Sequence, residues 1–196
     1  MPSSNEEQLR KEIVEMSRRC GAQGWCPATL GNISLLSSES GRVYIKKSGA
    51  DLSRIELADI LALDLNGNVL AGKGTPSIEM SLHLGIYKAR KHVKSVFHVH
   101  PPFATAYAVA GKKMPMATEA AKLILGDVLL LPSSPPGSTK LASVVAKGFK
   151  APKVKAALLR GHGLVTVGEN LENAYQTTAL VENTAKMAFL SSLIRK

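Results

Sequence analysis

Apolar residues open the chain at helical intervals. Leu9, Ile13, Met16 and Cys20 follow one another three or four positions apart, up to Gly21. Ser4 followed by Glu7 has the spacing of a capping box, so a first helix is expected over about residues 5–20. After a loop at 24–29, short β-type runs at Asn32–Leu36 and 42–46, separated by Ser-Ser-Glu-Ser-Gly, predict a hairpin. Runs at 60–64 and 69–71 flank Asn66-Gly67, the strongest two-residue turn signal, and predict a second. Thr75-Pro76 then reads as a helix start, with Thr as N-cap and Pro at the first helical position. Ile78, Leu82 and Ile86 carry that helix towards Lys91.

The pattern next predicts a strand at 95–99 stopped by Pro101-Pro102, a short helix at 103–110 before Gly111, and an apolar strand at 128–131. That strand enters the loop Pro132-Ser133-Ser134-Pro135-Pro136-Gly137, after which Ser138 caps a helix to about Gly148. Runs at 155–159 and 164–167 form a hairpin around Arg160-Gly161-His162-Gly163, and an amphipathic helix runs from Asn170 nearly to the end. Hairpins mixed with helices, without regular βα alternation, predict an α/β or α+β sheet with helices packed on it. No Gly-x-Gly-x-x-Gly or Walker sequence follows a strand, which argues against a doubly wound nucleotide fold.

Composition narrows this only slightly. A chain of 196 residues fits one domain and buries a core without disulfides or structural metal. It has no run of eighteen apolar residues and no secretory series at its N-terminus, so a soluble, cytoplasmic protein without membrane contact is expected. Cys20 and Cys26 have no second Cys or His pair nearby and read as reduced, partly buried thiols. The net charge of +10 is scattered in pairs such as Arg18-Arg19, Lys46-Lys47 and Lys112-Lys113, without interleaved aromatics. It therefore suits a basic surface or an anionic small molecule better than nucleic acid.

The candidate chemistry is concentrated in a few histidines. His98 and His100 sit at i and i+2 at the end of a strand, so both side chains leave one face while Phe97 and Val99 occupy the other. Such a pair can hold one ion, and it can equally serve as core or hydrogen-bonding residues. His162, between Gly161 and Gly163, adds a third imidazole on a backbone free to approach a ligand closely. Three imidazoles with an open position form a common catalytic zinc arrangement. His83 and His92 fall on polar and terminal parts of a helix and read as ordinary. Glu79 alone reads as a helix-start Glu favoured by the dipole, whereas beside a metal it becomes a ligand or proton acceptor. Thr29-Leu30-Gly31-Asn32, Lys47-Ser48-Gly49 and the helix start at Ser77 each suit an anion, and each also suits a turn or cap.

Taken in order, Gly31-Asn32, Ser48-Gly49, Pro76-Ser77-Ile78-Glu79, His98-Val99-His100-Pro101 and Gly161-His162-Gly163 resemble the class II aldolase/adducin family over about residues 8–190. The fuculose-phosphate aldolase branch is the most similar. The resemblance implies a three-layer α/β/α fold around a mixed, largely antiparallel sheet, with 1–196 as a single domain in a homotetramer whose sites lie between subunits. It further implies zinc, or another divalent metal, on His98, His100 and His162, with Glu79 as a metal ligand that becomes the catalytic acid/base. Thr29, Gly31, Asn32, Ser48, Gly49 and Ser77 would hold the phosphate of a sugar-phosphate substrate cleaved reversibly to dihydroxyacetone phosphate and an aldehyde.

The departures from that pattern are specific. Leu30 and Ile78 stand where the family often carries hydroxyl residues, a loss for which the charge of Lys47 would compensate. No tyrosine lies in Met116-Ala117-Thr118-Glu119-Ala120, which leaves Glu119 or a tyrosine from elsewhere in the oligomer to protonate the aldehyde oxygen. Residues 24–29 resemble a methylthioribulose-1-phosphate dehydratase, so that activity and a pentulose-5-phosphate 4-epimerase are alternatives. A non-catalytic adducin-like interaction module is another, against which the intact histidines argue.

Overall fold

The computed structural model describes residues 4–194, with side chains described from residue 5. The chain runs α1 (Ser4–Ala22), β1 (Asn32–Leu36), β2 (Val43–Lys46), β3 (Ile60–Leu63), β4 (Val69–Ala71), α2 (Met80–Ala89), β5 (Ser95–Val99) and α3 (Pro102–Ala110). It continues with α4 (Glu119–Leu125), β6 (Val128–Leu131), α5 (Thr139–Gly148), β7 (Ala156–Leu159), β8 (Leu164–Gly168) and α6 (Leu171–Ile194). The capping box expected at Ser4 involves a side chain outside the described residues.

The strands form one sheet in the order β4-β3-β2-β1-β5-β8-β7-β6. Its pairs are antiparallel except for the parallel β6–β7 pair. Alternation along each strand sends side chains to two helix layers. On one face Ile33, Tyr44 and Phe97 pack with Ile13, Met16 and Cys20 of α1 and with the start of α6, while Leu158 and Leu164 pack with α3, α4 and Val181 of α6. On the other, Val43, Ile45, Val96 and Val165 pack with Leu82 and Ile86 of α2 and with Leu141 and Val145 of α5. The fold is thus the expected three-layer α/β/α sandwich around a mixed, largely antiparallel sheet. Among the described residues no helix is long and apolar enough to cross a membrane.

All three hairpins, the apolar strand at 128–131 and the Ser138 cap stand where the sequence pattern puts them; Ser138 accepts from Leu141 N at 3.1 Å. The Thr75-Pro76 helix start does not. Pro76 makes a β-bridge with Lys47, Ser48 N donates to Thr75 O at 2.8 Å, and Ser77 N donates to Lys46 O at 3.2 Å. Residues 75–77 therefore pair alongside the end of β2, and α2 begins only after Glu79, its N-cap. A residue before proline favours extended backbone, which suits this pairing as well as it suits a cap. Helix α4, which no apolar period announced, is capped by Thr118, which accepts from Ala121 N at 3.1 Å.

Candidate metal centre and active site

The register of the central strands places the site. Asn32 of β1 lies opposite His98 of β5, and Val165 of β8 lies opposite His98 on its other side. Asn32 and His98 thus leave the sheet on the face covered by α2, whose first turn brings in Glu79. Beyond the strand, His100 continues in the same direction, with its N–H donated to Trp25 O at 2.8 Å. The turn between β7 and β8 returns His162 to the pair.

The three rings converge, with centroids 4.7 Å apart for His98 and His162, 4.9 Å for His98 and His100, and 5.4 Å for His100 and His162. One ligand atom from each lies within 4.8 Å of the others. The glycines flanking His162 serve different needs. Gly161 takes a left-handed φ of +70°, whereas a Cβ on Gly163 would stand 3.0 Å from Val99 O and 3.3 Å from the His100 ring.

His98 Nδ1 lies 3.1 Å from Leu164 O, and a carbonyl only accepts, so Nδ1 carries a proton, and in the neutral form that a metal requires Nε2 carries a lone pair. That lone pair faces Glu79 Oε2 at 2.8 Å and His162 Nε2 at 3.3 Å. Acceptors so close in a buried site repel unless a proton or a cation stands among them. Ligand nitrogens about 2.0–2.1 Å from a tetrahedral zinc stand about 3.3 Å apart, the separation of His98 and His162 Nε2. Glu79 Oε1 and His162 Nδ1 are buried without a hydrogen-bond partner, and Oε1 is 3.6 Å from His162 Nε2. The donor set therefore fits a divalent cation.

Burial holds the His100 imidazole down at about 3, helped by His98 and His162, and burial likewise lowers His162. Neutral rings are the ligand form. For Glu79, burial pushes upward, but positive charge among the imidazoles, carried by protons on His98 and His162 when no cation is bound, outweighs it and holds the carboxyl well below its ordinary range.

The three loops expected to hold an anion are adjacent. Lys46, itself 2% exposed, donates from Nζ to Thr29 O and to Ala50 O, each at 2.7 Å, and so clamps the Thr29–Gly31 loop to the Ser48–Gly49 loop. The Ser48 and Ser77 N–H groups are already committed to Thr75 O and Lys46 O. The Ser48 side chain and Gly49 remain exposed, as does Thr29, while Gly31 and Ser77 are buried. Asn32 does not open onto the loops: Nδ2 donates to Glu79 Oε2 at 3.3 Å and Oδ1 meets His83. Lys47 turns away to Asp59 at 2.7 Å and adds no free charge to the loops. Glu119 is exposed and paired with Lys122 at 2.6 Å. A cavity of about 340 Å³ lined by Ser133, Ser134, Pro135, Pro136, Arg160, Gly161 and His162 opens beside the His162 imidazole.

His83 was misread from the sequence. It is fully buried and bonded to Asn32 and Ser34. The available signal was its spacing, four residues after Glu79 and four before Tyr87.

The fold is shared with known proteins. The solved structure of an "L-fuculose 1-phosphate aldolase" superposes with a TM-score of 0.90 at 28% identity, covering 100% of this chain and 90% of that one. The L-fuculose phosphate aldolase of Methanococcus maripaludis (strain C7) is 31% identical over 160 residues, which is 82% of this chain and 84% of the relative. The 3-oxo-tetronate 4-phosphate decarboxylase of Haemophilus influenzae is 31% identical over 186 residues, 92% and 87% of the two chains. The profile of the class II aldolase and adducin N-terminal domain matches residues 11–189, and the chain belongs to that family.

Proposed function

We propose that this protein is a zinc-dependent aldolase that reversibly cleaves a ketose 1-phosphate of the L-fuculose 1-phosphate type to dihydroxyacetone phosphate and an aldehyde. We take it to act as a cytoplasmic homotetramer, as the resemblance implies. The observation that carries the reading is the meeting of three imidazoles with one carboxylate, of which one oxygen is held and the other is open. The name of the Methanococcus relative supports the substrate class.

A divalent cation on His98, His100 and His162 supplies a Lewis acid for charge developing on the substrate's carbonyl oxygen. The loops clamped by Lys46 receive the phosphate through Gly49 and the hydroxyls of Thr29 and Ser48. In the cleavage direction the bond between C3 and C4 breaks, its electron pair passes into the three-carbon enediolate, and the C4 hydroxyl proton passes to the Glu79 carboxylate as the aldehyde forms. Glu79 then returns that proton to C3, a role that its unpartnered Oε1 supports.

A second reading is decarboxylation of a phosphorylated 3-oxo acid, which reaches an enediolate by losing CO2 instead of an aldehyde. Arg160, in the cavity beside His162, offers a cation for such a carboxylate, and the Haemophilus relative bears that activity in its name.

The test is metal content, and dihydroxyacetone phosphate release from L-fuculose 1-phosphate, on wild type, Glu79→Gln and His100→Ala. About one zinc per chain is expected in wild type and Glu79→Gln, release only in wild type, and neither in His100→Ala. Metal with CO2 release from the oxo acid, and no aldol cleavage, favours the second reading. No metal after zinc is supplied sinks both.

A further inference from the structure

Behind Glu79, on the side away from the imidazoles, five side chains form an unbroken hydrogen-bonded chain. Glu79, His83 and Tyr87 recur every fourth residue and share one side of α2; Asn32 and Ser34 are two apart on β1 and face it. The two ladders interlock. His83 Nε2 is 2.5 Å from Asn32 Oδ1, and Nδ1 is 2.6 Å from Ser34 Oγ. Ser34 Oγ is in turn 2.6 Å from the Tyr87 hydroxyl.

With a neutral ring at His83, chemistry fixes the direction of every bond along this chain. A carboxylate only accepts, so Asn32 presents its NH2 to Glu79 Oε2 and its oxygen to His83. His83 must then donate from Nε2 and accept at Nδ1 from the Ser34 hydroxyl, whose oxygen accepts from Tyr87. Reversing the amide or the neutral ring sets two acceptors against each other in the interior, at about 1–3 kcal/mol for each group left unpaired, and the Tyr87 hydroxyl lies 2.6 Å from Ser34 Oγ but 3.4 Å from its other acceptor, Lys94 O.

We propose that His83 is a positioning residue for Glu79. As the neutral Nε2–H tautomer it locks Asn32 in the one amide orientation that donates to Glu79 Oε2, which pins that oxygen beside His98 and leaves Oε1 open. The inference rests on the role given to Glu79 above. Complete burial, with His98 nearby, pushes the His83 imidazole down to about 3, in keeping with a neutral ring. Partners that orient a ligand in this way change metal affinity or activity about 10–100-fold when removed.

The experiment is ¹⁵N NMR of the full-length, metal-free protein labelled at histidine, with His83 assigned by the signal lost in His83→Gln. A pyrrole-type Nε2 and a pyridine-type Nδ1 are expected from about pH 6 to about pH 8; the reverse tautomer, or an imidazolium, in that range overturns the proposal. In parallel, zinc affinity of His83→Leu is expected to fall about tenfold or more, and that of His83→Gln, which keeps a donor and an acceptor, to stay within about threefold. On whichever substrate wild type cleaves, kcat of the Leu variant falls by about the same factor while KM moves less than about threefold. Equal losses in Leu and Gln, or none in Leu, reject the proposal. If wild type cleaves nothing, the functional reading fails while the tautomer and zinc affinities still decide the role of His83.

Discussion

His98 Nε2 stands 2.8 Å from Glu79 Oε2 while Nδ1 of the same ring is spent on Leu164 O at 3.1 Å. The ring is thereby aimed before any ligand arrives, and binding there stabilises the folded state alone. Zinc at about 100 times its dissociation constant should add about 2.7 kcal/mol, or about 5–10 °C in Tm for a chain of this size. Thermal scans with zinc and with chelator should show this shift in wild type and lose it in His98→Ala. A shift that survives in the variant would place zinc elsewhere.

The glycines flanking His162 are expected to separate stability from metal binding. Gly161→Ala forces a side chain into left-handed backbone at about 1–2 kcal/mol with open space around it, so stability falls and zinc affinity holds. Gly163→Ala meets Val99 O and the His100 ring, so zinc affinity falls about tenfold or more. Urea unfolding of the metal-free variants, paired with zinc titration, checks both.

Lys46→Met keeps the buried stem and removes the ammonium that holds Thr29 O and Ala50 O. Each carbonyl left unpaired costs about 1–3 kcal/mol, and the loops lose their clamp. KM for the phosphorylated substrate should rise about tenfold, the equivalent of about 1.4 kcal/mol, with zinc affinity unchanged. Parallel loss of zinc would show that the clamp also supports the imidazoles.

Beside the like-signed share of His100 and His162, part of the pH dependence of stability comes from His83. Its folded-state value is depressed to about 3, so below about pH 6.5 the unfolded chain binds a proton that the native ring does not. Stability from this group is full above about pH 6.5 and is lost as the pH falls towards about 3, by up to about 1.4 kcal/mol per pH unit. Urea midpoints of the metal-free protein at about pH 7.5 and about pH 5 should differ less in His83→Gln, where nothing titrates. An unchanged slope would mean that the native ring protonates freely.

Much of this was legible in the chain. The i, i+2 spacing of His98 and His100, the Gly-His-Gly turn and the Asn66-Gly67 hairpin are local signals, because strand alternation and glycine backbone are properties of a few consecutive residues. Thr75-Pro76 misled for the same reason. The pairing of Pro76 with Lys47, 29 positions earlier, removed those residues from the helix, and nothing near Pro76 records that pairing.

The sequence by itself determined which residue types could carry the chemistry and which way each faces from its own element. Tertiary structure alone decided their partners. Lys47 went to Asp59 instead of an anion, Asn32 to Glu79 and His83 instead of the loops, and His83 to the interior instead of solvent. A buried polar group takes whichever complementary group packing brings within reach, and here those groups lie 12 to 51 positions away along the chain.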